Sequence, residues 1–420
     1  MTALGTLGGH AAGGDAINSA GVVVGWSIND PYAYHGFRSP PSGAPLLALL
    51  PPSGGTASYA LAVDDLGRVA GYAEVPVGFG TGDHAVLWDG GPVDLGTLGG
   101  DESQAYGVNA LRQLVGWADD PDGGTQAFWW EDGQMAALPG FAGGYPDNLA
   151  RDVNDAGVAV GHAWDASGIR QAVRWENGAS ALMLDLPAGA SGATAYAINE
   201  LGEVAGNSWG VGGTTQAIRW APDGTATVLP SLRGLSYNVA KGMNDSGQIV
   251  GTSYGTTTAD HIVWDHGVAF DIDDLIDGSG YFGFVLSDVN NAGQISALAS
   301  LSGGSIAVRL DPVPGSIGLS GPYPARAAQS NRVAVRGATP GAKVAFVFGS
   351  STGATPIGRC PGLSVDISGA RLGSIVTADA NGIAVSDRVA PAGVLGRTLF
   401  FQALEPARCL ASNLTVRTFH

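Results

Sequence analysis

The sequence is poor in lysine, cysteine and long apolar runs, and these shortages exclude several classes of protein. Only Lys241 and Lys343 are lysines, and 20 basic against 37 acidic residues give a net charge of −17 over 420 residues. Nucleic acids and anionic membranes bind clustered basic residues, so we expect neither as a partner. No apolar run approaches the roughly 20 residues of a membrane-spanning helix, and we therefore expect no membrane span.

The two cysteines lie close to the C-terminus, at Cys360 and Cys409. This placement predicts one disulfide that stabilises a small secreted domain, with two buried free thiols as the alternative. Met1 is followed within three residues by a segment that recurs later in the chain, residues 4–9, so we expect no signal peptide in this sequence.

A hairpin motif, Asn-x-x-Gly, recurs at steps of 45 or 46 residues. Asn or Asp opens a tight turn through its side chain, and Gly supplies the positive φ that follows. In the third copy Arg112 replaces the glycine, where we expect strain or a different turn. The turn residues, as we call the opening positions, are Asn18, Asp64, Asn109, Asn154, Asn199, Asn244 and Asn290.

Short strand-like runs flank each turn and give about four strands per repeat, without helical periodicity. This pattern predicts an all-β fold, with a seven-bladed β-propeller of four-stranded blades over residues 1–312. The LGTLGG segment at 4–9, interpreted as a fourth strand, recurs at 95–100, and the seventh repeat ends with its third strand at 306–310. The N-terminal strand should therefore complete the last blade and protect the sheet edges.

The period is lost after a proline-rich linker at residues 312–324. Residues 313–420 alternate apolar and polar positions between glycine-containing turns, as in the run KVAFVF at 343–348. This pattern favours a separate C-terminal β-sandwich.

The repeats resemble the HAF repeat family of extracellular proteins, which is named for a His-Ala-Phe run. The run HAVLW begins at His84 and is followed by DLGTLGG at 94–100. Weaker copies begin at His35, Gln126, Gln171 and Gln216. The resemblance covers residues 2 to about 312 and implies secretion or surface display without an enzymatic activity. At this position His and Gln share a side-chain donor, which we expect to satisfy a backbone carbonyl.

The apparent catalytic and metal motifs have simpler interpretations. Two Gly-x-Ser-x-Gly matches, at 206–210 and 251–255, fall inside predicted strands instead of the strand-to-helix turn that a nucleophile needs. Two acidic segments, 119–123 and 271–278, lack the ligand spacing of an EF-hand loop, so we interpret them as solvated turns, with a weakly bound Ca²⁺ as the alternative. We expect no catalytic residue, metal or cofactor.

Aromatic residues recur in the second strand of each predicted blade. They lie eight positions after the turn residue at Trp26, Tyr72 and Trp117, and ten positions after it at Trp164, Trp209 and Tyr254. These offsets share one face of a strand. We predict an arc of rings that stacks on sugars, with hydroxyl-binding neighbours at Tyr32, Tyr34, Asp119 and Asp165; packing between blades is the alternative.

These features predict a non-catalytic extracellular or cell-surface protein, monomeric, that binds a glycan or protein on its loop-bearing face. One alternative is a secreted glycoside hydrolase or lyase, which would need carboxylates converging near a central channel. Another is a structural component of a surface layer or matrix.

Overall fold

The chain has an all-β fold. The computed structural model describes residues 1–29, 33–40, 44–77, 80–210, 213–255, 259–276 and 280–420. Within these ranges the α-helical residues are the single turn α1, Ile272–Leu275, and no helix has the length and apolar character that a membrane crossing needs.

Two compact units share the chain. The first comprises Met1–Leu229, Ser236–His261 and Gly280–Pro312, and the second comprises Pro230–Leu235, Ile262–Ser279 and Val313–His420. The sixth sequence repeat is therefore divided between the units.

The first five repeats fold as antiparallel meanders of four strands in chain order. After β1 (Thr2–Gly5), their strands are β2 (Ala12–Ile17), β3 (Val23–Ile28), β4 (Tyr34–Arg38), β5 (Leu47–Leu49), β6 (Ser58–Val63), β7 (Val69–Val77), β8 (Gly80–Trp88), β9 (Pro92–Asp94), β10 (Ser103–Val108), β11 (Leu114–Asp119), β12 (Thr125–Glu131), β13 (Gln134–Ala137), β14 (Asn148–Val153), β15 (Val158–Trp164), β16 (Arg170–Glu176), β17 (Ala181–Met183), β18 (Ala190–Ile198), β19 (Val204–Gly210), β20 (Thr215–Trp220) and β21 (Ala226–Val228).

The last two repeats contain β22 (Tyr237–Met243), β23 (Gln248–Tyr254), β24 (Ala259–Asp265), β25 (Val268–Asp271), β26 (Gly283–Val289), β27 (Ile295–Leu301) and β28 (Gly304–Leu310). The N-terminal strand β1 pairs antiparallel with β28, with Thr2 opposite Arg309. The sheet order is thus β1-β28-β27-β26, and residues from the two ends of the first unit share one sheet.

The remaining strands form three sheets within the second unit. They are β29 (Gly318–Tyr323), β30 (Ser330–Arg336), β31 (Lys343–Gly349), β32 (Thr352–Pro356), β33 (Ser364–Ile367), β34 (Arg371–Thr377), β35 (Ala384–Val389), β36 (Thr398–Glu405), β37 (Leu410–Ala411) and β38 (Thr415–Thr418). The sheet orders are β29-β30-β35, β32-β33 and β34-β31-β36-β37, and β38 also pairs with β36. A disulfide joins Cys360 to Cys409.

The hydrophobic core of the first unit lies between consecutive repeats. In one cluster, Ala70 and Leu87 of the second repeat pack with Leu114 and Phe128 of the third, and all four are fully buried. Tryptophans at the ends of several third strands fix these contacts, because each indole N–H donates to a backbone carbonyl of the preceding loop. The donor and acceptor residues are Trp88 to Leu50 (2.8 Å), Trp175 to Pro139 (2.8 Å) and Trp220 to Asp185 (2.7 Å).

The turn residues bond one repeat to the next. In each turn the side-chain Oδ1 accepts the backbone N–H four residues later. The asparagine Nδ2 donates to the backbone carbonyl of the next turn residue. These bonds run from Asn18 to Asp64, Asn109 to Asn154, Asn154 to Asn199, Asn199 to Asn244, Asn244 to Asn290, and Asn290 back to Asn18, over 2.8–3.2 Å.

Asp64 has no amide with which to continue this series, and Arg68 supplies the missing donor. Its Nε binds the Asp64 carboxylate at 2.6 Å, and its Nη2 donates to the backbone carbonyls of Asn109 and Ala110 at 3.2 and 2.7 Å. The bonds therefore pass through all of the predicted turns and return to the first.

Arg112 keeps the turn despite replacing the glycine. Its φ of 66° lies in the left-handed region, and its N–H bonds the Asn109 carbonyl at 3.0 Å, as the glycine does in the other repeats. We expected either a strained backbone or a different turn at Arg112, and the structure keeps the turn with a φ that is unfavourable for arginine. The side chain reaches back to Asp89, 3.3 Å away, and lies over the ring of Trp130.

The LGTLGG segments require a correction, because they are mostly turn and not strand. β1 ends at Gly5 and β9 ends at Asp94. In both segments the threonine hydroxyl donates to the carbonyl of the final glycine, from Thr6 to Gly9 and from Thr97 to Gly100, at 2.9 and 2.8 Å. These bonds close a loop that leads into the next repeat.

The bonds between turns give a testable prediction. Asn290→Asp keeps the acceptor but removes the donor to the buried Asn18 carbonyl, and we expect it to lower the free energy of unfolding by about 1–3 kcal/mol. Adding Gln294→Arg recreates the arrangement of Asp64 and Arg68 and should recover part of this loss. Urea denaturation measures both, with Gln294→Arg alone and the exposed Gln134→Ala as controls. A double variant no more stable than Asn290→Asp would contradict this interpretation.

The disulfide gives a second prediction. It closes a loop with a sequence separation of 49 residues, for which chain entropy gives about 4 kcal/mol of stabilisation. Reduction with dithiothreitol should lower the stability of the wild type in chemical denaturation by about this amount. A variant with both Cys360→Ser and Cys409→Ser should be equally weakened and indifferent to reductant. Unchanged wild-type unfolding under reducing conditions would exclude the stabilising role.

Candidate functional site

A β-bulge occurs in every first strand, three residues before the turn residue. The register of the first strand against the second shifts at this point in all seven repeats. Bulges re-aim a side chain and are frequent next to binding sites. The residues at this position, which we call the bulge residues, are Asp15, Leu61, Tyr106, Arg151, Tyr196, Lys241 and Ser287.

Six of the bulge residues line one cavity in the first unit, with Leu61 as the exception. The cavity has a volume of about 470 Å³ and is also lined by Tyr237, Val239, Thr252 and Tyr254. Small-ligand sites have volumes of about 300–1,000 Å³. The bulge residues differ in charge and shape from repeat to repeat, so this wall is asymmetric although the framework repeats.

An arginine between two tyrosines dominates one side of the cavity. The Arg151 guanidinium lies 4.8 Å from the ring centroid of Tyr106 and 5.5 Å from that of Tyr196. Among the described residues, no carboxylate pairs with Arg151, and its Nε has no hydrogen-bond partner. Cation–π contacts with the two rings therefore hold the guanidinium at the cavity wall.

A carboxylate and a lysine face the same space. Burial raises the pKa of Asp15 to about 7, and the charge of Lys241 partly opposes this rise. Burial also lowers the pKa of Lys241, while Asp15 acts in the opposite direction. The Asp15 Oδ2 has no hydrogen-bond partner among the described residues.

A second row of acidic residues lies next to the turns, but these groups are used by the framework. Asp65, Asp155, Glu200 and Asp245 each accept a backbone N–H from the preceding repeat. Burial raises the pKa of Glu200, and the neighbouring carboxylates add to the rise. Within the part of the chain that the structure describes, no group of three or more His, Cys, Asp or Glu side chains is arranged to hold a metal ion.

The acidic segment at 271–278 also has internal partners. Asp271 caps α1 by accepting the Asp273 N–H at 3.1 Å. Both carboxylate oxygens of Asp274 lie 2.6 Å from Arg417 Nη2, and one also accepts from the hydroxyl of Tyr323. Residues 277 and 278 lie outside the described residues. Asp271 is buried and Asp274 is ion-paired with Arg417, which corrects the interpretation of this part of the segment as a solvated turn.

Part of the predicted aromatic arc packs on itself. Trp26, Tyr34, Tyr59 and Tyr72 form a continuous series of ring contacts, with centroid distances of 5.8, 5.5 and 4.7 Å. These rings belong to the first and second repeats, so they join adjacent repeats as the packing alternative proposed. Tyr32 lies outside the described residues.

The other arc residues have different neighbours. Trp164 and Trp209 flank Arg170, whose guanidinium lies 5.7 and 5.0 Å from their ring centroids. Tyr254 reaches the cavity, where its ring lies 5.8 Å from that of Tyr237. Trp117 lies in β11 opposite Gln104. The structure thus groups the predicted aromatic residues in pairs and short series and brings only Tyr254 to the cavity.

Asp165 stabilises its own loop. Its carboxylate accepts the N–H groups of Ser167 and Ile169 and the side-chain amide of Gln171, and these bonds lower its pKa. Asp119 accepts from the Thr125 hydroxyl at 3.3 Å.

In four of the five copies of the HAF run, the His or Gln binds a side chain instead of the expected backbone carbonyl. The pairs are His35 with Asn29, His84 with Asp94, Gln126 with Asp120 and Gln171 with Asp165, over 2.6–3.1 Å. These side chains fix loops of the repeat and are structural.

Comparison with known proteins gives partial structural similarities. No protein-family model and no curated protein matches the chain. Among solved structures, a protein assigned as TolB from Agrobacterium tumefaciens aligns at 13% identity over 52% of this chain and 80% of its own, with a TM-score of 0.39. TolB from Acinetobacter baumannii aligns at 14% identity over 58% of this chain and 61% of its own, with a TM-score of 0.40. Similarities this low assign no role to individual residues of this chain.

Sequence analysis missed the bulge residues, although the alignment of the repeats contains a signal for them. The position before each turn residue is always apolar, for example Ile17, Val108 and Ile198. At the bulge position, two residues before this apolar residue, the residue type changes in nearly every repeat. Lys241, one of the two lysines in the chain, lies at this variable position.

The raised pKa of Asp15 predicts a pH dependence of stability. A carboxyl pKa that is higher in the folded than in the unfolded chain favours folding at low pH, and this contribution is lost as the pH rises through about 7. Relative to wild type, Asp15→Asn should therefore gain on the order of 2 kcal/mol of unfolding free energy between pH 5 and 8. Asp152 and Asp288, whose pKa values burial raises to about 7 and about 6, remain in both proteins.

Urea denaturation at several pH values measures this difference. Ser287→Ala is the matched control, because it changes a neighbouring bulge residue without a titratable group and should shift stability equally at each pH. A constant difference between Asp15→Asn and wild type across this range would contradict the prediction.

Proposed function

We propose that residues 1–312 form a closed seven-bladed β-propeller, with the N-terminal strand in the last blade, and that residues 313–420 form a β-sandwich. The bonds that return from Asn290 to Asn18 support the closed ring, as does a cavity lined by six repeats. A hydrophobic cluster that includes Val335 of β30 and Phe346 of β31 supports the sandwich. Membership of the HAF repeat family is part of this proposal.

We further propose that the protein is a non-catalytic extracellular or cell-surface binding protein, monomeric, that takes a glycan in the cavity of the bulge residues. The observation that carries this proposal is the contrast between a repeating framework and a non-repeating cavity wall. Framework positions keep one residue type because they serve folding. The bulge residues present charged, aromatic and hydroxyl groups to one space.

The chemistry of the cavity suits a sugar. Tyr237 and Tyr254 are 46% and 42% exposed, so their rings are available to the apolar C–H faces of a pyranose. Asp15 and Ser287, which line the cavity, offer hydrogen bonds to hydroxyl groups. The disulfide supports an oxidising compartment outside the cytoplasm.

The number of carboxylates in this cavity favours binding without hydrolysis. Glycosidases place two carboxyl groups about 5–10 Å apart around the scissile bond. Among the described residues that line the cavity, Asp15 is the one carboxylate. The site therefore lacks the acid and base pair of either glycosidase mechanism.

A glycan array tests the proposed function. Wild type should bind a subset of glycans, and Tyr196→Ala should lose at least tenfold in affinity because it removes a ring of the cavity wall. Tyr145→Ala, which removes a 57% exposed ring outside this lining, should bind as wild type does. Bound glycans should show no new reducing ends or unsaturated products after incubation.

Equal binding by wild type and Tyr196→Ala would place the site elsewhere. Turnover of a bound glycan would replace the binding function with an enzymatic one.

A further inference from the structure

We propose that the ligand is an acidic glycan, and that Arg151 binds the carboxylate of a uronic acid residue in the cavity of the bulge residues. This inference rests on the proposed function and specifies its ligand class.

Arg151 lines the cavity without an anionic partner among the described residues. The ring centroids of Tyr106 and Tyr196 lie 4.8 and 5.5 Å from the guanidinium. Hydrogen bonds to a guanidinium lie in its plane, and the planar fork of N–H groups matches the two oxygens of a carboxylate. Within the described residues Arg151 forms no ion pair, and its Nε lacks a partner. An oxyanion bound in the cavity would supply an acceptor for the N–H groups of the guanidinium.

The charge of the cavity also favours an anion. In a chain with 37 acidic and 20 basic residues, this lining contains Arg151 and Lys241 against the single carboxylate of Asp15. Burial raises the pKa of Asp15 to about 7, so near neutral pH a part of the population carries no opposing charge. The neutral form also offers an O–H donor to a carboxylate or hydroxyl.

The exposed rings beside Arg151 and Lys241 favour a ligand larger than a simple anion. Tyr237 and Tyr254 lie 5.8 Å apart at the same cavity and keep nearly half of their surface exposed. A small anion would leave these rings without a partner. A sugar ring that carries a carboxylate engages both the guanidinium and an aromatic face, which matches a uronic acid residue within an oligosaccharide.

Calorimetric titration with matched oligosaccharides tests the inference. The probes are oligogalacturonate, oligomannuronate and a hyaluronan oligosaccharide, each beside its carboxyl-reduced neutral counterpart, together with a heparin oligosaccharide as a sulfated probe. Wild type should bind at least one acidic probe tenfold or more tightly than its reduced counterpart. Arg151→Met should lose this preference. Arg151→Lys, which keeps the charge but not the fork, should retain a smaller part of it.

The matched control is Arg219→Met, which removes an exposed arginine of β20 that pairs with Glu203 away from the cavity. It should keep the wild-type preference. Thermal unfolding followed by circular dichroism shows whether each variant is folded. If Arg151→Met does not fold, Arg151→Lys alone tests the role of the guanidinium.

The outcomes separate the two proposals. Equal binding of acidic and reduced probes at the cavity would overturn the acidic ligand and leave glycan binding intact. Binding of the heparin probe that is undiminished after reduction of its carboxyl groups would overturn the carboxylate assignment. Binding of none of the probes, together with an array without hits, would overturn the proposed function itself.

Discussion

The hydrogen bond from each turn to the turn of the following repeat is the interaction on which the first unit depends. A four-stranded meander has two open edges and a narrow core, and it buries apolar surface only against a neighbour. The asparagine side chain holds its own turn through Oδ1 and the next repeat through Nδ2. Local turn geometry and the spacing between repeats are therefore set by one residue.

This dual use explains why the motif tolerates only compensated changes. Asp64 forms its own turn but has no side-chain donor, and the donor is restored four residues later by Arg68. Arg112 adopts a backbone conformation that usually favours glycine, and the bonds made by Asn109 in the same turn remain in place. In both repeats the link between neighbours is kept while the residue types change.

The all-β fold and its repeated meanders could be inferred from sequence because turns and strands repeat in phase, and seven aligned copies of the motif show what one copy hides. The strand that β1 contributes to the last sheet followed from the same phase. The cavity could not be inferred in this way. Strict alternation assigns the bulge residue to a face on the assumption of an unbroken register, and each bulge breaks that register at Tyr106, Arg151 and their equivalents.

The aromatic arc shows the complementary difficulty. Its offsets placed Trp26 and Trp164 correctly within their strands, but strand position does not determine which neighbour a ring contacts. Trp26 meets Tyr34 of its own repeat, and Trp164 meets Arg170. The role of the LGTLGG segments was also hidden, because their threonine hydroxyls fold the chain back locally.

The fixed position of the bulge has a consequence for how such a chain can change over evolution. The bulge residue does not take part in the bonds between turns, and it has no partner in the register between the first and second strands. In six of the seven repeats, this position therefore offers a site at which substitution alters the lining of the cavity while the bonds between turns are kept. A lineage that keeps the asparagines can acquire new ligands by exchanging these few side chains independently, much as loops diversify on other scaffolds.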